Sequence, residues 1–214
     1  MHGFNDRELK VLKKLDSPRK IQGFLDTLRK NFEPDGDSCM SPRVVLRKGC
    51  CHCIEGAMLA CAAMRLHGRK PLVVDLTASN RDFDHVIAVF KENGKWGAIS
   101  KTNYAVLRYR EPVYNSVREL VMSYFHEYTD SGGRKTLRSY SDPVDLSKLD
   151  RTGWMTSEKD VWKVPDHLVK VRHHSILNRS QIARLRRADP IEIKAGKLLE
   201  WKQGKKRKSR KHRR

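Results

Sequence analysis

The sequence predicts an α+β domain in which a buried helix packs on a small antiparallel sheet, behind a helical N-terminal part. Three observations carry that prediction. Ala57, Met58, Ala60, Cys61 and Met64 recur at helical spacing, and the pattern stops at Gly68. His85-Val86-Ile87-Ala88-Val89-Phe90 is the aliphatic run of a buried strand; Asn93-Gly94, a tight-hairpin dipeptide, then leads into Trp96-Gly97-Ala98-Ile99-Ser100. Ser17-Pro18 and Ser41-Pro42 each set a capping hydroxyl before a first-turn proline, so helices begin there. A chain of 214 residues with five cysteines suits one globular domain with extensions.

In chain order, the patterning predicts a helix near residues 5–15 and a second from Ser17 to about Arg29. The loop Glu33-Pro34-Asp35-Gly36-Asp37-Ser38 follows, then a short helical segment from Ser41, then the helix that Cys53 opens. Pro71 to Leu76 reads as a strand, and the hairpin comes next. Tyr104 to Tyr109 alternates and suits a third strand. Val117, Leu120, Val121, Tyr124 and Phe125 share one face of a helix over 115–127. Gly132-Gly133, Asp142-Pro143, Gly153 and Pro165 then break the chain into short segments, so residues 130–178 are expected to wrap the domain. A basic helix over Ser180–Arg187 is stopped by Asp189-Pro190. The resulting division is a helical N-terminal part (1–40), a core with wrapping segments (41–178), a basic helical or irregular extension (179–204) and a disordered polybasic tail (205–214).

The chemistry concentrates in Gly49-Cys50-Cys51-His52-Cys53-Ile54-Glu55-Gly56-Ala57. A cysteine in a helix's first turn meets unpaired N–H groups and the positive end of the macrodipole, which favour the thiolate, the attacking species. A cysteine nucleophile also needs a base, usually histidine, and a third group that fixes the imidazole. His85 heads the buried strand and is the candidate base; Ser100, across the hairpin, is the candidate orienting group, with Asn103 ranked behind it.

These residues resemble the transglutaminase-like superfamily of cysteine enzymes, and, more loosely, the flanks Ser17-Pro18 to Phe32 and Lys101 to Tyr128 look like those of its short bacterial members. In that family's nucleophile segment a small residue stands four positions after the cysteine, an arginine or similar residue twelve after and a glycine fifteen after. Ala57, Arg65 and Gly68 hold those positions relative to Cys53. Pro71-Leu72-Val73-Val74-Asp75-Leu76 and Asp84-His85-Val86 resemble its next two strands. The resemblance implies a papain-like fold, Cys53 as nucleophile and His85 as base. It departs at the third member, because Ser100 stands where the family's aspartate is expected. The match is specific over about residues 41–103. It implies a cysteine hydrolase or acyltransferase acting on an amide or peptide-type carbonyl, with no cofactor and no metal; a protein or peptide is the implied substrate. The alternative is an inactive binding module of the same fold, and Ser100 favours it, since a neutral hydroxyl cannot stabilise an imidazolium as a carboxylate does.

The cysteines also admit other readings. Cys61, on the apolar face of its helix, reads as a small core residue. Cys50 and Cys53 form C-x-x-C, with Cys39, His52, Cys61 and His67 near in sequence, but no second ligand pair follows at zinc-finger spacing. The same C-x-x-C at a helix start also matches a thioredoxin-type redox pair. His173-His174 show no partner in the sequence and read as surface residues.

The formal net charge is +20. Lys205, Lys206, Arg207, Lys208, Arg210, Lys211, Arg213 and Arg214 contribute eight of those charges, leaving +12 on residues 1–204. A tail of this kind neutralises phosphates and releases counterions, so DNA or RNA is the expected partner and an anionic membrane surface the competing one. No charged-then-apolar leader opens the sequence and no apolar run spans a bilayer, so the expected location is the cytoplasm with reduced thiols.

Overall fold

A computed structural model describes residues 3–34 and 36–203. The expectations placed on the tail, Lys205 to Arg214, lie outside these residues. The fold is mixed α and β, built on an antiparallel sheet.

The N-terminal helices are α1 (Asp6–Leu12), α2 (Pro18–Thr27) and α3 (Pro42–Lys48). Ser17 and Ser41 cap α2 and α3 as their spacing predicts, each side chain accepting an N–H of the first turn. Two short strands, β1 (Arg29–Lys30) and β2 (Cys50–Cys51), pair in parallel between them. The central helix α4 runs Cys53–Leu66 and is buried from Ile54 through Met64. A helix apolar on every side belongs inside a core, and here α1, α2 and α3 pack on it while its other side meets the sheet. Small residues permit the close approach: a Cβ placed on Gly56 would stand 2.6 Å from Cβ of Lys101.

The main sheet contains β3 (Leu72–Ala78), β4 (His85–Glu92), β5 (Lys95–Ile99), β6 (Arg110–Tyr114), β7 (Leu137–Ser141), β8 (Val144–Asp145) and β9 (His173–Ser175). Its order is β6-β5-β4-β3-β7-β9, with β8 also on β3, and every pairing is antiparallel. The β4–β5 hairpin turns at Asn93 (φ 49°) and Gly94 (φ 78°), the paired positive φ that Asn-Gly accommodates at little cost. Alternation then divides the sheet. Val73, Val86, Ala88, Phe90 and Ile99 join the core around α4, whereas Val74, Leu76, Ile87, Val89 and Ala98 join a second core on the opposite face. That second core is closed by α5 (Val117–Met122) and by Tyr124, Phe125 and Tyr128 just beyond it.

Several expectations require correction. The third strand is β6, at 110–114, and not Tyr104–Tyr109; the latter segment turns inward because Ser100 and Glu127 hold Leu107 by its carbonyl and N–H. Residues 130–178 do more than wrap, since β7 lies beside β3 inside the sheet. His173 and His174 are not unpartnered: they meet carboxylates of Asp75 at 3.3 Å and Asp142 at 2.6 Å. The helix expected over 180–187 shortens to α7 (Arg179–Ala183), and α8 (Pro190–Gly196) starts at the proline expected to end it. Beyond α8, Leu198 to Trp201 lie against Asn103 to Ala105. Among the described residues no helix is long and apolar enough to cross a membrane.

Candidate active site

Cys53 is the first residue of α4, and the chain reaches it through a pinned entry. β1 and β2 fix Cys50 and Cys51, and the latter is fully buried. His52 then takes an extended backbone (φ −101°, ψ −170°) as the N-cap. Its N–H donates to Glu55 Oε2 at 2.9 Å, tying the first turn back on itself. The Glu55 carboxylate, wholly buried, also accepts from Met40 N–H (2.9 Å), Ser38 Oγ (3.1 Å) and Asn31 Nδ2 (3.1 Å), so the 31–40 loop is fastened to the same helix start.

His85 begins β4, is buried, and sits at the mouth of the β4–β5 pair. Its Nε2 lies 2.8 Å from Ser100 Oγ. The Ser100 hydroxyl proton is committed to the Leu107 carbonyl at 2.5 Å, so Oγ accepts from His85 and the Nε2 nitrogen carries the proton. The β4–β5 register ends with Ala88 opposite Ile99; extended, it sets Ile87 opposite Ser100, so His85 reaches Ser100 diagonally rather than directly across. Nδ1 is left free of Ser100, and His85, which shares a cleft with Cys53, acts to lower its thiol.

The structure therefore brings Cys53, His85 and Ser100 together. Asn103 is not beside His85: its side chain donates to the Trp201 carbonyl and accepts from the Trp201 N–H, both at 2.9 Å. Three supports for Ser100 escape a sequence reading. Gln22 of α2 accepts the Ser100 N–H (2.9 Å) and donates to its carbonyl (3.0 Å). Glu127 accepts the Leu107 N–H at 2.7 Å. Leu107 itself holds φ 59°, a left-handed conformation that costs a branched residue energy and persists only when its surroundings enforce it.

A further neighbour was also missed. His52, the residue before Cys53, also acts to lower the Cys53 thiol. Its Nε2 donates to the Ser38 carbonyl at 2.9 Å and lies 3.3 Å from Glu55 Oε1 and 3.7 Å from Glu33 Oε1. The only available signal was adjacency to Cys53.

Electrostatics separate this cysteine from the other four. Burial pushes Cys39 and Cys51 up to about 12, lifts Cys61 well above the usual thiol range and raises Cys50. Burial acts on Cys53 in the same direction, but hydrogen bonds from His52 and His85 and their charges outweigh it, so the thiol lies well below its ordinary range. All five cysteines are free thiols. Among the described residues, no three His, Cys, Asp or Glu side chains converge as metal donors.

Cys53 and His85 line a cleft of about 660 Å³ at the end of the sheet. Phe83, 91% exposed, and Tyr104, 47% exposed, stand on its rim. Ile193, Gly196 and Lys197 supply a wall, so part of the extension after residue 179 belongs to the cleft. Lys101 lies at its base, with Nζ donating to the Leu25 and Leu28 carbonyls at the end of α2. No protein-family model matches this sequence, and no curated protein matches it.

Proposed function

We propose that this chain is a transglutaminase-like cysteine hydrolase or acyltransferase that acts on an amide or peptide-type carbonyl. The observation that supports it most directly is that Cys53, the first residue of a buried helix, lines the same cleft as His85, whose ring is held by Ser100 at 2.8 Å. A helix-borne cysteine against a strand histidine, steadied by a residue of the next strand, is also the arrangement the papain-like resemblance implies.

In this reading the thiol proton passes to Nδ1 of His85 as Sγ adds to the carbonyl carbon. The oxyanion that forms faces the start of α4, where the Cys53 N–H has no intrahelical partner. Collapse breaks the bond to the leaving amine or alcohol, which takes the proton from His85. Water or an acceptor amine then attacks the thioester, giving its proton to His85 and releasing the acyl group. Ser100 positions His85 through Nε2 and remains neutral. Polyanion binding by the +12 body and the basic tail is a separate proposal that needs no chemistry at Cys53.

The test is an acyl-enzyme trap. The full chain is incubated with p-nitrophenyl acetate and with a peptide thioester, and adducts are located by mass spectrometry. A Cys53 adduct that forms faster than on Cys50, with turnover falling about 10²–10⁴-fold in His85→Ala, is the expected result. Equal labelling of Cys50 and Cys53, or turnover indifferent to His85, would sink the reading and leave the binding module.

A further inference from the structure

Beyond α8 the chain returns to the edge of the cleft, and a Cys53–His85 mechanism makes no use of what it does there. Leu198 to Trp201 run antiparallel to Asn103 to Ala105. The Glu200 N–H donates to the Asn103 carbonyl at 2.9 Å and the Ala105 N–H to the Leu198 carbonyl at 3.1 Å, so Tyr104 and Leu199 face each other as a strand pair. The buried Asn103 amide adds two more bonds, accepting the Trp201 N–H and donating to the Trp201 carbonyl, both at 2.9 Å. A side-chain amide that meets both backbone groups of one residue stands in for a neighbouring strand. None of these four bonds depends on which side chains the bound segment carries.

The apolar grip on the segment is slight by comparison. Leu198 and Leu199 are exposed, and among the described residues the Trp201 indole N–H is buried without an acceptor, which costs the docked arrangement stability. The Arg108–Glu200 ion pair, at 3.2 Å, is partly open to solvent and contributes little. The segment is therefore held by its backbone, in a manner that another extended chain can copy.

We infer that residues 103–105, with the Asn103 amide, form a docking strip for the extended backbone of a peptide substrate, and that Leu198–Trp201 occupy this strip in cis. The inference rests on the proposed reaction at Cys53 and narrows its substrate to an extended peptide segment. Position supports it: Asn103 and Tyr104 line the cleft that holds Cys53 and His85, and so do Gly196 and Lys197, which precede the docked residues. A chain lying in this register leads into the cleft. A substrate peptide must displace the occupant, so the segment that fills the strip also restrains its use.

The experiment is a competition in the full chain. A fluorescein-labelled peptide of residues 197–203, Lys-Leu-Leu-Glu-Trp-Lys-Gln, is titrated by anisotropy against wild type, Glu200→Pro and Glu200→Pro with Asn103→Leu. Proline removes the N–H given to Asn103 and the carboxylate that meets Arg108, which opens the strip. Apparent affinity scales with the fraction of sites left open, so Glu200→Pro should bind the peptide about five- to tenfold more tightly than wild type, and Asn103→Leu should abolish the gain. Equal binding by wild type and Glu200→Pro, or a gain that survives Asn103→Leu, overturns the inference. Should the variants fail to fold, amide exchange in the wild type decides. Glu200 and Trp201 should exchange at least about tenfold faster than the β4 amides, and exchange no faster than β4 would mean a fixed segment and refute displacement. The chemistry is judged apart: peptide binding without a Cys53 adduct supports the strip and sinks the reaction, whereas a peptide-thioester adduct on Cys53 without peptide binding sinks the strip alone.

Discussion

Replacing Ser100 with alanine is the sharpest perturbation of the site. The hydroxyl makes two bonds, one of them to a buried partner: Ser100 is 3% exposed and His85 7%, while Leu107 is half-buried. With a methyl in its place, Nε2–H of His85 loses its acceptor at 2.8 Å and the Leu107 carbonyl loses its donor at 2.5 Å. A buried N–H left unmatched costs about 1–3 kcal/mol, and a carbonyl less, for a total of about 2–3 kcal/mol. In a chain of this size that lowers Tm by about 5–10 °C. The ring can avoid part of the cost by moving its proton to Nδ1, but it then presents a donor to the sulfur and ceases to be a base. Stability and reactivity therefore trade against one another in this variant. Urea unfolding followed by tryptophan fluorescence measures the first, and ring-¹⁵N shifts of His85 report the tautomer. A loss below about 0.5 kcal/mol with the proton still on Nε2 would show that Ser100 does not fix the imidazole, and the proposed positioning would be wrong.

Three other outcomes follow from the same geometry. The stability owed to the Cys53–His52 pair should depend on pH with a defined sign: His52, raised from 6.5 to about 9, favours folding below 6.5 and loses that as pH rises through 9, whereas Cys53, lowered from 9.0, gains over the same interval, so the wild-type advantage over Cys53→Ala should be level between these limits and shrink below 6.5, as read from urea midpoints across pH. Gly56→Ala should cost about 1–3 kcal/mol, because the new methyl meets the stem of Lys101, whose Nζ is fixed by two carbonyls and cannot retreat; chemical denaturation measures it, and a neutral effect would mean that α4 shifts freely over the sheet. Removing residues 205–214 should weaken binding to duplex DNA or RNA and flatten its dependence on salt concentration in a filter-binding or anisotropy titration, whereas an unchanged slope would move the contact to the folded surface.

The helix start at Cys53, the His85 strand and the Asn93-Gly94 hairpin were legible because each is written in local pattern: a buried helix of small residues, an aliphatic run and a dipeptide suited to positive φ. Ser100 was legible as a neighbour of His85 by counting from that turn, although the contact is diagonal. The third strand was misplaced because the alternation of Tyr104–Tyr109 carries no trace of Glu127, which draws Leu107 inward from 20 residues away. The supporting roles of Gln22, Glu127 and Glu55 depend on side chains meeting across the fold, with Gln22 and Ser100 separated by 78 positions. His52 sat in plain sight but was weighed only as half of a metal site. Its place at the N-cap depends on an extended backbone, and that conformation is held by a carboxylate three residues later.

Cys53 and His85 are attached to different parts of the molecule, and this has a practical consequence. The helix that carries the cysteine is embedded in the core on one face of the sheet, while Ile87 and Val89, which follow the histidine on its strand, anchor in the core on the other. The reactivity of this one thiol is thus a gauge of how firmly the helical layer is seated. A partly loosened state that retained its helices and strands would keep its far-ultraviolet spectrum, yet its sulfur would revert to an ordinary thiol as soon as the two layers slid apart. Alkylation rate at mildly acidic pH, followed along a denaturant series, would therefore detect layer separation before any probe of secondary structure responds.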